Sequence, residues 1–280
     1  MSETQCLNLC EIFTGLYKEK ELESIIINIL DVEGIRPCER IYIGSYFCSQ
    51  FFLNLNINHL KELISICNKN DIKLTLVIPT FSQKDLLKGK IKISKLESYI
   101  GNEIDEITVN DYGMLSYIQL SYSAHINLGR LFMKDYRDPR HGVYFHQSYK
   151  PKIMNESFLR LLDIYNIKGI EFDLTHEELV VKDYPANLII GYHSPYSYMT
   201  VGTICELASI NKEESQKFRP NNTCSLECMT HSIQYFFEDA RKWYRIGRTI
   251  YFKNTDCIIT SSYRLRKIFS PYENQFLMNY

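Results

Sequence analysis

The sequence has little of several features that mark specialised proteins. Only one of its 280 residues is Trp, and no apolar run reaches the roughly 18 residues that span a bilayer. Its first ten residues lack the basic cluster and apolar core of a signal peptide. Neither sign of charge dominates, because 32 Lys and Arg face 33 Asp and Glu, for a net charge of −1. These absences predict a cytoplasmic protein with no general attraction for nucleic acid or anionic membranes.

Motifs of several common catalytic and phosphate-binding sites are also missing. The sequence contains no G-x-G-x-x-G after its first strand and no G-x-x-x-x-G-K-[ST], which excludes the usual dinucleotide and P-loop cradles. It has neither a G-x-S-x-G elbow nor an H-E-x-x-H helix, the signatures of many hydrolases and metallopeptidases. A function must therefore be sought in other residue groupings.

Short β-branched runs alternate with amphipathic stretches, a pattern typical of βαβ units and a parallel sheet. The 45% hydrophobic content is ample for a buried core and excludes disorder as the main state. The predicted strands are Leu7–Phe13, Ile41–Gly44, Leu74–Ile78, Glu106–Val109, Ala124–Asn127, Gly169–Phe172 and Leu188–Gly191. The clearest predicted helices are Glu21–Leu30, Ile57–Cys67 and Glu156–Tyr165.

Seven strands in this rhythm, with no Gly/Ser linker between them, favour one α/β barrel-like domain over residues 1–280. An open doubly wound sheet would use the same local pattern. We expect the last βα element before Tyr280 to be short, which would leave the barrel incomplete at its carboxyl end.

The rhythm changes in a cysteine-bearing region at about residues 193–235. It contains a polar insertion, Asn211–Asn222, after which helical character is predicted at Met229–Trp243. A hairpin of Thr249–Phe252 and Cys257–Thr260 is predicted to follow. Long irregular connections in compact domains are usually functional.

Three of the nine cysteines lie in this region, with the spacing C-x18-C-x3-C. They are Cys205, Cys224 and Cys228, and Cys48 follows the predicted strand Ile41–Gly44. In a barrel, the carboxyl ends of the strands converge, so Cys48 can meet the other three. Four thiolates suit either zinc or an iron–sulfur cluster. Zinc ribbons generally need two closely spaced pairs, and only one is present.

The other cysteines are expected to be structural, since a buried thiol commonly acts as a small apolar side chain. This interpretation is clearest for Cys67 on a helix and Cys257 in a strand. It is less clear for Cys6, Cys10 and Cys38.

Polar side chains at predicted strand ends are further candidates for chemistry. His125 and His193 could transfer protons or bind substrate, although structural histidines are commoner. Asp111 and Asp173 could orient a substrate, but the favoured interpretation is that they cap the next helix.

Two basic clusters, Arg130–Arg140 and Arg241–Arg248, could bind an anionic or carboxylate-bearing molecule through their guanidinium groups. Solvation of a loop and of a helix, respectively, is the favoured interpretation. Neither cluster has the interleaved aromatics of a nucleic-acid surface, so nucleic acid is an unlikely partner.

Four segments resemble, in the same order, the peptidase U-32 (collagenase-like) family. Ile41–Gln50, with Y-I-G-S-Y-F-C-S, is similar to the family's Tyr-Leu-Gly-x-x-x-Cys-Ser element, and Val109–Gly113 to its Asp-Leu-Gly turn. Tyr192–Cys205, with the cysteines that follow, resembles the later ligand region, and Tyr251–Tyr263 the next strand pair. The resemblance is strongest to members that act in ubiquinone biosynthesis.

This resemblance implies that Cys48, Cys205, Cys224 and Cys228 hold a [4Fe-4S] cluster. It also implies a subunit of an oxygen-independent hydroxylase that works with a second family member. The family's name leaves a peptidase as an alternative, and a non-catalytic protein whose metal staples a loop is another.

Tyrosines accompany the predicted cluster face in sequence, at Tyr46, Tyr192, Tyr196 and Tyr198. Aromatic rings with a few polar groups suit a planar ligand better than an extended peptide. The expected substrate is therefore a small aromatic or cyclic carboxylate.

Overall fold

A computed structural model describes residues 3–12, 22–133, 155–174, 179–181, 184–231, 233–236, 242–254, 259–261 and 263–272. Its strands are Thr4–Asn8 (β1), Cys38–Gly44 (β2), Lys73–Ile78 (β3), Glu106–Val109 (β4), His125–Leu128 (β5), Gly169–Asp173 (β6), Leu179–Val181 (β7), Ile189–Ser194 (β8), Tyr196–Val201 (β9), Ile233–Phe236 (β10), Lys242–Ile246 (β11), Thr249–Lys253 (β12), Ile259–Ser261 (β13) and Leu265–Phe269 (β14). Eight of them form a closed barrel in the order β1-β14-β8-β6-β5-β4-β3-β2. All neighbouring pairs in the barrel are parallel, which confirms the predicted (β/α) barrel-like fold.

Helices of the described chain pack around this barrel. They are Leu22–Val32 (α1), Ser49–Leu53 (α2), Ile57–Lys69 (α3), Leu86–Ile100 (α4), Tyr112–Ser121 (α5) and Glu156–Ile164 (α6). Side chains of Asn56, Asp111 and Asn155 accept hydrogen bonds from the first turns of α3, α5 and α6, which fixes where these helices begin. The three helices predicted from periodicity are present, with ends within two residues of the prediction.

The barrel closes at the carboxyl side, so the expected incompleteness there is wrong. Strand β14 supplies the closing element, since it pairs with β1 on one edge and with β8 on the other. This strand was not predicted from the sequence, because the buried Arg266 interrupts its apolar pattern. Inside the barrel, Arg266 donates two hydrogen bonds to the Glu106 carboxylate, at 2.7 and 3.2 Å. At this position of the barrel interior, an ion pair therefore takes the place of an apolar contact.

The first strand begins earlier than predicted. It runs from Thr4 to Asn8, whereas Leu7–Phe13 was expected, and Phe13 lies outside the described residues. The remaining six predicted barrel strands overlap their observed counterparts.

A second, antiparallel sheet follows the barrel strand β8, in the order β10-β11-β12-β9. The helix predicted at Met229–Trp243 is therefore wrong: a short 3-10 turn, Glu227–Met229, precedes β10 and β11. The predicted hairpin is wrong as well. Strand β12 pairs with β9 and β11, while β13 pairs in parallel with β7.

None of the helices in the described part of the chain has both the length and the apolar character needed to cross a membrane. The longest of them, α4, has 15 residues.

Gly44, the last residue of β2, provides a test of the barrel geometry. Its φ is +123°, and a Cβ at this position would collide with the backbone oxygen of Val77 on β3. We expect Gly44→Ala to lower the free energy of unfolding by about 3 kcal/mol. Gly34 is the matched control, because it also has a positive φ, +63°, but open space around it. Gly34→Ala should cost only about 1 kcal/mol in denaturant unfolding. Equal losses would contradict the described register of β2 on β3.

Candidate metal centre

The four cysteines selected from the sequence line one pocket. Cys48, Cys205, Cys224 and Cys228 surround about 440 Å³ of empty space, counting the part open to solvent. The pocket lies where the barrel meets the segment that connects β9 to β10. Most of the other residues that line it have polar side chains, and the full set is Ser49, Gln50, Thr203, Leu207, Ala208, Asn221, Asn222, Glu227, Gly247 and Arg248.

Cys48 reaches the pocket through the loop after β2, and a buried carboxylate shapes this loop. Glu11 accepts hydrogen bonds from the Ser45 hydroxyl at 2.6 Å and from the Tyr46 backbone N–H at 2.7 Å. The Cys48 N–H in turn donates to the Ser45 hydroxyl oxygen at 2.8 Å. Glu11 is 3% exposed, and burial raises the pKa of its carboxyl group. Sequence reasoning missed Glu11, because its partners lie more than 30 residues away.

The other three cysteines reach the pocket through local turns. The Asn221 N–H donates to the Thr203 oxygen at 2.7 Å, which holds the segment before Cys224 against the segment before Cys205. Between Cys224 and Cys228, Leu226 adopts a left-handed conformation with φ 63°. This residue reverses the chain, so both thiols can face the same pocket.

The four sulfur atoms influence one another electrostatically. Burial, with a smaller contribution from the neighbouring Cys48 and Cys205, raises the pKa of the Cys224 thiol to about 11. Burial, with the same kind of repulsion from the other three cysteines, raises the pKa of Cys228 well above its usual range. Arg248 opposes the rise for Cys48. These groups ligate a metal only as thiolates, a form that a bound cation would stabilise.

The thiols are arranged around the pocket rather than on one point. Among the described residues, no three His, Cys, Asp or Glu side chains are placed to hold a single metal ion. A tetrahedral zinc ion would draw four sulfur atoms to about 2.3 Å from one centre. The chemistry of the four sulfur donors is compatible with zinc or with an iron–sulfur cluster.

A buried ion pair fixes the barrel against the antiparallel sheet. The Arg130 Nε donates to Asp173 at 2.8 Å, and a second guanidinium nitrogen donates to the other carboxylate oxygen. The same carboxylate accepts from the Tyr198 N–H of β9 at 3.0 Å, and Arg130 also donates to the Tyr196 oxygen. Both charged side chains are inaccessible to solvent.

Aromatic rings surround the Arg130 guanidinium. Its carbon lies 5.4 to 5.7 Å from the ring centroids of Tyr46, Phe47, Tyr198 and Tyr251. Two of these rings belong to the barrel loop that leads to Cys48, and two belong to the antiparallel sheet. Cation–π attraction therefore joins the two parts at the edge of the cysteine pocket.

His193 belongs to a second buried polar group inside the barrel. Its Nε2 lies 3.0 Å from the Glu171 carboxylate, which also accepts a hydrogen bond of 2.6 Å from Thr108. The Tyr46 ring contacts the imidazole edge to face, with 4.8 Å between centroids. Burial raises the pKa of Glu171 to about 7. Of the two histidines predicted as candidates, His193 therefore lies beside a carboxyl group, that of Glu171, which can hold a proton.

Other predicted candidates have structural positions. His125 is exposed and begins β5, on the barrel face opposite the strand ends that carry Cys48, so its prediction at a functional strand end is wrong. Asp111 accepts a hydrogen bond from Met114 N–H at 2.9 Å, so it caps α5 as the favoured interpretation held. Asp173 instead pairs with Arg130 and accepts from the Tyr198 N–H, and no helix of the described residues begins at it. Cys6, Cys10 and Cys67 are buried, Cys38 is partly buried, and none of the four lines the cysteine pocket.

The predicted aromatic lining is not found at the pocket. Tyr46, Tyr192, Tyr196 and Tyr198 are buried, and none lines the cysteine pocket. Rings of Tyr46, Tyr196 and Tyr198 instead pack in the joint between the barrel and the antiparallel sheet. They were predicted to stack on a ligand because sequence proximity cannot distinguish packing from pocket lining.

The arginines of the two predicted basic clusters lie in different environments. Arg130 is fully buried rather than part of a solvated loop, and residues 134–150 lie outside the described chain. In the second cluster, Arg245 pairs with Glu206 at 2.6 Å and Arg248 lines the cysteine pocket. These residues lie on strands and a turn, so helix solvation was the wrong interpretation. Arg241 and Cys257 lie outside the described residues.

Asp173→Asn tests whether this carboxylate holds the fold or serves chemistry. The change leaves the buried Arg130 charge unpaired, and we expect a loss of about 3–5 kcal/mol in the free energy of unfolding. Asp111→Ala is the control, since removal of a helix cap costs about 1 kcal/mol. Denaturant unfolding of both variants measures the difference. Wild-type stability of Asp173→Asn would contradict the structural role.

The raised pKa of Glu171 predicts a pH dependence of stability. Between the ordinary pKa of 4.5 and about 7, the unfolded chain loses this proton while the folded chain keeps it. Stability should therefore fall as pH rises across this window, by about 3 kcal/mol in total. Glu171→Gln should remove this part of the slope, because the amide cannot ionise.

The free energy of unfolding of the wild-type and Glu171→Gln proteins, measured from pH 4.5 to 7.5, isolates the contribution of Glu171. The other groups titrate in both proteins. Of the groups that face Glu171, His193, Arg130 and Arg266 remain in the variant. Parallel pH profiles of the two proteins would show that folding does not raise the pKa of Glu171.

A scan of the chain against protein-family models matches none of them, and a search of curated proteins finds no match. These comparisons therefore assign no function to the cysteine pocket.

Proposed function

We propose that this chain is an iron–sulfur protein of the peptidase U-32 type. In this proposal Cys48, Cys205, Cys224 and Cys228 hold a [4Fe-4S] cluster, and the protein is a subunit of an oxygen-independent hydroxylase. The observation that carries the proposal is that these four cysteines, separated by up to 180 residues, line one pocket. Four thiolates complete the ligand set of such a cluster.

The cysteine spacing favours a cluster over a zinc ion. Only one closely spaced cysteine pair contributes, whereas zinc ribbons use two. A larger metal group, held by the barrel on one side and by the β9–β10 segment on the other, fits this arrangement.

The protein's own residues would bind and orient this group. When bound, a [4Fe-4S] cluster with four cysteine ligands supplies one-electron transfer. The Glu11–Ser45 hydrogen bond fixes the backbone at Cys48, and Leu226 sets the turn between Cys224 and Cys228. Gln50 and Asn222 line the same pocket and offer polar groups to a bound small molecule.

A cysteine peptidase is the less favoured alternative. Such an enzyme needs a thiolate at neutral pH, and burial instead raises the pKa of both Cys224 and Cys228. A non-catalytic metal staple is a further alternative. It needs only a closed site, whereas polar side chains such as Gln50 and Asn222 line this pocket beside the thiols.

The partner and the substrate class are proposals that rest on the family resemblance. A second U-32 family protein is proposed as the partner, although the closed barrel removes the argument from an exposed carboxyl edge. The substrate is proposed to be a small aromatic or cyclic molecule. The carboxylate expected on it has a match in the pocket, since the guanidinium of Arg248 lies there.

Single replacements of the four cysteines test the proposal. We expect Cys48→Ala, Cys205→Ala, Cys224→Ala and Cys228→Ala each to lose most of the iron and acid-labile sulfide bound after anaerobic purification. The reason is that each removes one iron ligand. Iron and sulfide analysis, with electron paramagnetic resonance after reduction, measures the loss.

Cys67→Ala is the matched control, because Cys67 is also buried but lies on α3, away from the pocket. It should cost about 1 kcal/mol in stability and retain the cluster. Iron binding by all five variants alike, or zinc in place of iron in the wild-type protein, would refute the assignment.

A further inference from the structure

Arg248 connects all three chain segments that carry the four cysteines. Its Nε donates to the backbone oxygen of Phe47, the residue before Cys48, at 2.9 Å. Its Nη1 donates to the Asn221 side-chain oxygen at 3.2 Å, three residues before Cys224. Its backbone oxygen accepts from the N–H of Gly202, three residues before Cys205, at 3.2 Å. One residue in the β11–β12 turn thus links segments that are far apart in sequence.

The same residue supplies the positive charge at the pocket. Arg248 is the only basic residue among the described residues that line it, and Glu227 is the only carboxylate. The side chain is partly buried, so water screens its charge less than that of a surface arginine. An anionic group held by four thiolates would face this guanidinium at close range.

We propose that Arg248 is the positioning residue and the counter-charge of the four-cysteine centre. This inference rests on the proposed cluster. The guanidinium fork holds the Cys48 loop against the Asn221 loop, and its charge favours the more negative, reduced form of the bound group. A single side chain would thereby set both the retention of the cluster and its reduction potential.

Two substitutions separate these roles. Arg248→Gln removes the charge and the fork, and we expect one-electron reduction to become about tenfold less favourable. This change corresponds to a midpoint potential lower by about 59 mV. Arg248→Lys keeps the charge but cannot make both hydrogen bonds. It should keep a potential close to that of the wild-type protein and lose iron to a chelator several times faster.

Arg219→Gln is the matched control. Arg219 is exposed in the segment between β9 and β10, which also carries three of the cysteines, and it does not line the pocket. The same charge change there should leave the potential and the rate of iron loss unchanged. The measurements are a redox titration followed by electron paramagnetic resonance and the rate of iron release to a chelator, both without oxygen.

The outcomes distinguish this inference from the proposed function. A wild-type protein without iron and sulfide refutes the cluster itself. A wild-type cluster together with an unchanged potential in Arg248→Gln refutes the counter-charge. If Arg248→Gln does not fold, Arg248→Lys decides, because a wild-type rate of iron loss in that variant refutes the positioning role.

Discussion

The buried ion pair between Arg130 and Asp173 is the constraint on which the arrangement of the molecule depends. Neither charge reaches solvent, so each would be strongly destabilising without the other. Arg130 comes from the end of β5 and Asp173 from the end of β6, while both hydrogen-bond to the backbone of β9. The hydrogen bonds of the pair to Tyr196 and Tyr198 hold the antiparallel sheet at the carboxyl ends of the barrel strands. That docking places the connecting segment with three cysteines beside Cys48.

The pocket is consequently formed at the junction between the barrel and the segment that connects β9 to β10, and not by one local motif. Its barrel side depends on Glu11, which positions the loop leading to Cys48, and its other side depends on the turn at Leu226. The aromatic rings of Phe47 and Tyr251 pack with Arg130 between the two sides. Stability and the candidate site are thus coupled, since any change that loosens this joint also separates the cysteines.

The sequence predicted the parts of the fold that follow from apolar periodicity. Seven barrel strands and three helices were found in this way because their buried residues are aliphatic. Strand β14 was missed, since Arg266 and Lys267 interrupt its apolar pattern. Barrel topology predicted the position of Cys48 at the carboxyl ends of the strands. The other three cysteines reach it through the segment between β9 and β10 of the antiparallel sheet, which was not predicted. Arg248 and Glu11 were not predicted in their roles, since they bond to atoms of distant segments that leave no local pattern.

X-ray absorption at the metal edge of the anaerobically purified full chain tests the central claim most directly, because it reports which element is bound and what surrounds it. The account predicts an iron edge, a first shell of sulfur atoms and a second shell of iron neighbours. These shells should disappear when Cys48 or Cys224, one from each side of the junction, is replaced. A zinc edge with sulfur ligands and no metal neighbour, or protein that binds no metal, would contradict the account.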